Sequence, residues 1–341
     1  MLAPRLQEIT GRFASLRMAV VGDFCLDRYL EIDPAKQETS IETGLPVYNV
    51  TNVRSQPGAA GTILNNLVAL GIGTIYPVGF AGADGEGFEL ARSLAAKAGV
   101  ELIHFLKTPA RRTFTYTKPL VVDKGKSPVE LNRLDFKNWT STPAEVRSHI
   151  ERSVTALAEQ VDAIIMLDQV DQAETGVITP EVLRAIESVA RARPELFIIA
   201  DSRRSLRGYP PVSLKMNRVE FNGLAGLGSH PSLTQLLEAV GRLAREHGRY
   251  VFVTLAEEGI VAAGPKQPAV HVRALPVRGE IDIVGAGDAV TANLTAALAA
   301  GATLEEALGL AMLAASIVVH QLGTTGTASI PQLAELHRAT R

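Results

Sequence analysis

The sequence predicts an α/β fold, with a mainly parallel sheet covered by helices on both faces. Three observations predict it. From residue 143 onward, apolar runs of strand length alternate with segments of helical period, the rhythm of βα units whose crossovers keep neighbouring strands parallel. The runs Met18–Val21, Ala163–Leu167 and Leu196–Ala200 are apolar throughout, as strands buried on both faces are. The chain has 341 residues, 46% hydrophobic and 21% charged, which suffices for a sizeable core.

Residues 4–16 have the pattern of a short amphipathic helix, and Met18–Val21 is a strand ending in Gly22-Asp23. Residues 24–56 read as irregular, with alternating pieces such as Leu45–Val50. A helix over Gly58–Leu70 is stopped by Gly71, Ile75–Val78 is a strand, and a helix over Gly85–Ala98 is stopped by Gly99. Alternation returns at Glu101–Leu106, Arg112–Val122 and Val129–Leu134. The regular half then predicts helices at 143–159, 180–192 and 232–247, with strands at Ala163–Leu167, Leu196–Ala200, 214–216, Tyr250–Thr254, 259–263 and 269–274. A long Ala-rich helix ends at Gly301, and Thr303 with Glu306 forms a capping box for a last helix at 304–320. The expectation is one domain over 1–341. Two alternating patches, about 30–56 and 101–135, would form a small second sheet above the rim of the first, a lid that excludes water. Its exposed edge invites pairing with a second copy.

The formal net charge of −2 leaves no basic footprint for nucleic acid. The single Cys25 excludes an internal disulfide and fits a reducing compartment. The seven histidines have no zinc spacing. No apolar leader opens the chain, and Leu308–Val319 is too short to span a bilayer. A soluble, cytoplasmic protein with no membrane or nucleic-acid partner is expected.

The stretch around which the chain is organised is Asp282-Ile283-Val284-Gly285-Ala286-Gly287-Asp288, which runs directly into the Ala-rich helix. Glycines before a helix let its free first-turn N–H groups approach an anion. A carboxylate beside such a nest would repel a resting phosphate. It makes chemical sense if it takes a proton from an attacking hydroxyl while the nest holds the phosphoryl group in transfer. In a parallel sheet, ligands bind beyond the carboxyl ends of the strands. The polar residues expected there, Asp23, Asp168, Asp201, Asn217 and Thr254, would share one rim with Asp288.

The string D-x-x-G-A-G-D resembles the C-terminal signature of the ribokinase-like (PfkB) family of carbohydrate kinases. The resemblance extends from about Met18 to Pro331. It is carried by Val21-Gly22-Asp23-Phe24-Cys25-Leu26-Asp27-Arg28-Tyr29, Pro57-Gly58-Ala59-Ala60, Asn132-Arg133-Leu134-Asp135 and Leu322-Gly323-Thr324-Thr325, and looks closest to the heptose-7-phosphate kinase branch, kinase half only. It implies a ribokinase-like sheet with a β lid that pairs in a homodimer, and phosphorylation of a sugar or sugar-phosphate hydroxyl with ATP and Mg²⁺; a need for a monovalent cation is left open. By the same resemblance Asp288 is the base, and the Gly285, Ala286 and Gly287 amides form the anion hole beside Asp282. Asp23, Asp27, Gly58, Ala59 and Asn66 meet the sugar, and Arg112 and Arg133 are candidates for a phosphate already on it. Asp201, Arg203, Asn217, Thr254, Ala256, Gly259 and Gly323 lie on the ATP side, and Glu220 of Asn217-Arg218-Val219-Glu220 supports Mg²⁺ through water.

Several positions depart from the family pattern. Ile283 stands for a Thr, Ala59 for a second Gly, Thr62 for an Asn, Met216 for a Pro and Ala256 for a Gly. The Ala59 methyl would crowd a backbone that touches the sugar. Two rivals follow: a same-fold kinase of a nucleoside or vitamin, and a nucleotide-binding regulatory protein without catalysis. A Rossmann dehydrogenase is disfavoured because the first strand leads to Gly22-Asp23 and not to G-x-G-x-x-G.

Overall fold

Within residues 1–340, which the computed structural model describes, the chain stacks helices, a sheet and helices in three layers. In chain order the strands are β1 (Arg17–Gly22), β2 (Phe24–Ile32), β3 (Glu38–Thr39), β4 (Pro46–Val47), β5 (Val50–Ala59), β6 (Thr74–Gly82), β7 (Phe105–Thr108), β8 (Phe114–Val121), β9 (Val129–Glu130) and β10 (Leu134–Phe136). There follow β11 (Ala163–Asp168), β12 (Phe197–Ser202), β13 (Ser213–Asn217), β14 (Val251–Thr254), β15 (Ile260–Ala263) and β16 (Val270–Val272). The helices are α1 (Ala3–Gly11), α2 (Ala60–Ala69), α3 (Gly85–Ala95), α4 (Ala144–Ala158), α5 (Pro180–Ala192), α6 (Arg218–Ala225), α7 (Leu233–His247), α8 (Ala286–Ala299), α9 (Leu304–Val319) and α10 (Ile330–Ala339).

The main sheet runs β16-β15-β14-β13-β12-β11-β1-β6-β7. It is parallel from β14 to β7, and β15 and β16 add an antiparallel edge. The apolar runs of the sequence are explained by its two cores. Along β1, Met18 and Val20 enter one core with Ile63 and Leu67 of α2, Leu294 of α8 and Leu308 of α9. Ala19 and Val21 enter the other with Ile150 of α4, Ile186 of α5 and Val240 of α7. Successive residues of a strand point to opposite faces, so a strand covered on both sides has no polar register. Each fully buried aliphatic side chain contributes roughly 1.5–3 kcal/mol.

The second sheet runs β10-β8-β2-β5, with β9 on the β8 edge. Strand β2 begins one residue after β1, so the chain leaves the core sheet at Asp23 and turns directly into the smaller one. Register places Gln56 and Tyr116 beside Asp27, and Arg54 and Lys118 beside Tyr29.

Several expectations need correction. Residues 24–56, read as irregular, contain the long strands β2 and β5; β2 carries Asp27 on one face and Arg28 on the other, and the first half of β5 is exposed, which blurs the alternation. Glu101–Leu106 does not join the second sheet: a 3₁₀ turn covers Leu102–His104, and β7 pairs with β6 at the edge of the main one. Gly58 and Ala59 end β5, and the helix expected from Gly58 starts at Ala60. Helices α6 and α10 were not foreseen. The first is only 8 residues long, and the second starts at a Ser329–Gln332 capping box. No helix among the described residues is long and apolar enough to cross a membrane.

Candidate active site

A cavity of about 720 Å³ lies between the carboxyl ends of β11–β14 and the second sheet. Asp201 is the penultimate residue of β12, Asn217 ends β13, Thr254 ends β14, and the start of α8 closes the side.

The turn before α8 is built by Gly285, whose φ of 82° is left-handed; a side chain there would be strained. It aims the first turn of α8 into the cavity. The Gly287 and Asp288 N–H groups have no protein acceptor among the described residues. Ala286 corrects the expected three-amide hole, because its N–H donates to Ile283 O at 3.2 Å and the residue does not line the cavity. The Asp288 carboxylate does line it. Burial pushes that carboxyl up to about 7; Lys215 and Arg203 pull it down while Asp201 and Asp27 push it up.

Lys215 escaped the sequence reading. It is 5% exposed and donates to Asp201 Oδ2 at 2.7 Å. A methyl on Gly287 would lie 3.1 Å from its Nζ, so the ammonium sits against the start of α8. The signal was present: Lys215 lies between buried Leu214 and Met216 and shares the strand face of Asn217. A lysine in such a run has to point at something specific, because an unpaired buried charge is expensive.

At the other end, Asp27 projects from β2 against Gly58, where an added Cβ would meet Asp27 Oδ2 at 2.4 Å. Its carboxyl is raised, by burial above all, with Lys118 and Arg133 opposing. Lys118 donates to the Tyr29 hydroxyl at 3.4 Å and stands over that ring, and Arg133 stacks on Tyr116 and pairs with Asp135 at 2.7 Å. Lys137, between Asp135 and Asp171, completes three cations on this wall.

Of the residues expected at a site, the structure gathers Asp27, Ala59, Arg133, Asp201, Arg203, Asn217, Thr254, Glu220, Gly285, Gly287 and Asp288 around one cavity. Others fall outside its lining. Asp23 is 1% exposed, and its carboxylate accepts the N–H groups of Gln169, Val170 and Val177 at 2.7–3.1 Å. It therefore holds the loop after β11, which corrects its expected sugar contact. Its carboxyl is pushed up to about 6, by burial first and then by Asp168. Asn66, expected at the sugar, is fully buried and donates to Thr62 O and Gly326 O. Arg112 pairs with Asp84 and Glu86. Asp282 accepts from Val284 N and Gly323 N, so these two expected site residues tie a loop to the end of α9. Ala256 (φ 52°) and Gly259 (φ 101°) shape the turn after β14 without reaching the cavity.

Asn217 and Glu220 form a capping box on α6: Glu220 N–H donates to Asn217 Oδ1 at 2.9 Å, and Asn217 N–H to Glu220 Oε2 at 2.8 Å. No cluster of three or more metal-ligating side chains occurs among the described residues. Glu220 lines the cavity with one oxygen committed to Asn217 N–H, which fits a hard cation held mostly by water and phosphate, as Mg²⁺ is.

Residues 18–331 match the pfkB family carbohydrate kinases. The chain belongs to this family. Among curated relatives, the bifunctional protein HldE of Azotobacter vinelandii is 34% identical over 331 residues, 94% of this chain and 64% of the relative. The HldE of Caulobacter vibrioides is 30% identical over 94% of this chain and 63% of its own length. The pfkB chain thus spans somewhat less than two thirds of these relatives. Its fold is similar to that of Arabidopsis thaliana ribokinase complexed with ribose and ATP (TM-score 0.65, 21% identity, 93% of this chain and 95% of that one). It is also similar to Escherichia coli phosphofructokinase-2 complexed with fructose-6-phosphate (TM-score 0.66, 17% identity, 96% and 100%).

Proposed function

We propose that the chain transfers the γ-phosphoryl group of ATP to a hydroxyl of a sugar that already carries an anionic group, with Asp288 as the general base. The observation that carries this reading is the start of α8: a carboxyl raised to about 7 beside free N–H groups on the wall of a polar cavity. A base poised near neutral pH removes a proton efficiently. The acceptor would lie between Asp27 and Asp288. Lys118, Arg133 and Lys137 support an acceptor bearing phosphate, because three cations line that end.

ATP would lie across Asn217, Thr254 and Arg203, with its γ-phosphoryl group at the Gly287 and Asp288 amides and the Lys215 ammonium. Asp288 takes the hydroxyl proton as the O–P bond forms and the bond to ADP breaks. Fixed donors offset charge on the equatorial oxygens without reorganisation. Glu220 would hold Mg²⁺ through water, and that ion neutralises charge on the nucleotide phosphates when bound. The second sheet would act as a lid that keeps water from the phosphoryl group, and its edge strands support a homodimer. The buried free thiol of Cys25 fits a reducing, cytoplasmic setting. ADP release from Mg²⁺-ATP, measured across sugars and sugar phosphates, tests the reading; sugar-dependent release of ADP is expected, and its absence with every acceptor refutes transfer.

A further inference from the structure

Ala59, Glu174 and Ala256 are the non-glycine residues with positive φ among those described, and of the three Ala59 alone lines the cavity. Its φ of 53° and ψ of −118° lie outside even the left-handed well that other residues visit. The conformation is imposed from both sides. Before it, Ala59 pairs with Phe24 across β2 and β5; after it, Ala60 N–H donates to Asp23 O at 3.0 Å. The Asp23 carboxylate is itself fixed by three N–H groups. A glycine would meet this geometry without strain, yet the chain keeps a methyl at a residue that lines the same cavity as Asp27 and Asp288.

The rest of that floor is also short. Thr62, in the first turn of α2, lines the cavity with its Cγ2 toward Gly285, 3.5 Å from where a Cβ on that glycine would sit. The side-chain amide of α2 one turn further, Asn66, turns inward to Thr62 O and Gly326 O. An acceptor hydroxyl pressed against Ala59 would lose its water and find no donor or acceptor in the methyl in return.

We propose that Ala59 determines specificity: it selects sugars that turn a hydroxyl-free edge, a deoxy carbon or a bare C–H face, toward the start of α2. The inference rests on the sugar-kinase reading for the identity of the ligand, and the test separates the two. Matched pairs of sugars and sugar phosphates, with and without one hydroxyl, are titrated calorimetrically into the wild type and Ala59→Gly, and ADP release is followed separately. In at least one pair the wild type favours the deoxy member by about 10- to 100-fold, the range in which an apolar surface rejects an added hydroxyl. Ala59→Gly, which suits this backbone and folds, collapses that ratio. A wild-type preference for the hydroxylated member in every pair, an unchanged ratio in Ala59→Gly, or a raised Tm without any change in ratio overturns the inference. Absence of binding to either protein also overturns it. A ratio that collapses while neither protein releases ADP upholds the inference and sinks the transfer reading instead.

Discussion

The Lys215 ammonium lies 2.7 Å from Asp201 Oδ2 and presses on Gly287 at the start of the helix that carries Asp288. One buried ion pair therefore backs both the Asp288 carboxyl and the amides beside it.

Removing that cation moves the titration of Asp288, the proposed base. Lys215, Arg203, Asp201 and Asp27 are the charges that act on Asp288. Without Lys215 the Asp288 carboxylate loses an opposite charge, and its pKa rises further above about 7. The acid limb of kcat/KM for Lys215→Met shifts to higher pH by about one unit. Stability falls by roughly 3–5 kcal/mol, because Asp201 is left buried and unpaired. The double variant Lys215→Met/Asp201→Asn removes a charge of each sign, recovers most of the stability and brings the limb back. A limb that stays in place in the single variant separates Lys215 from Asp288.

Asp288→Asn keeps ATP affinity and lowers turnover by about two to four orders of magnitude, the scale of a positioned general base. It also gains stability with a defined pH dependence. A carboxyl whose folded pKa is raised from 3.8 to about 7 contributes stability that is present in full below 3.8 and lost as pH rises through 7. The variant does not suffer this loss. Its advantage over the wild type in urea denaturation grows with pH, from the order of 1–2 kcal/mol at pH 5 to about 4 kcal/mol at pH 8. Equal midpoints at both pH values would remove the burial argument.

The sequence made the main sheet legible because its strands are buried on both faces, and runs such as Ala163–Leu167 have no other reading. The start of α8 was legible for a different reason: Gly285 and Gly287 flag a backbone that must turn and be approached. The second sheet was legible as two alternating patches but not strand by strand: β2 carries Asp27 on one face and Arg28 on the other, so its bounds do not stand out, and Phe105–Thr108 pairs with the main sheet instead. Asp23 and Asn66 show a further limit. Residue type and spacing place a polar side chain near a strand end or helix start, but not which way it turns. Both turn inward to backbone groups. Lys215 needed its buried neighbours to be seen as a charge with a partner.

Asp23 holds structure together. Three N–H groups converge on its two oxygens, and an amide in its place turns an NH₂ toward one or more of them. Asp23→Asn costs about 2–4 kcal/mol in stability, from the donors left unsatisfied. The KM for the acceptor measured below the lowered Tm stays within about threefold of the wild type, as for a group that makes no substrate contact. A large rise in KM with unchanged stability would return Asp23 to the sugar site.

Gly287→Ala separates folding from chemistry. Gly287 is the second residue of α8, where alanine is the better helix former by roughly 1 kcal/mol. Its φ is not left-handed, since Gly287 is absent from the positive-φ glycines, so the backbone accepts the change. The added methyl, however, comes within 3.1 Å of Lys215 Nζ and stands over the amide that a phosphoryl oxygen must reach. The long lysine side chain gives way more easily than the helix, so stability is unchanged or slightly higher. Turnover nonetheless falls by about 10²- to 10³-fold, the scale of one lost oxyanion donor. Thermal unfolding and ADP release on the same preparation check both halves: a stable variant with wild-type turnover would show that the phosphoryl group does not pass the start of α8.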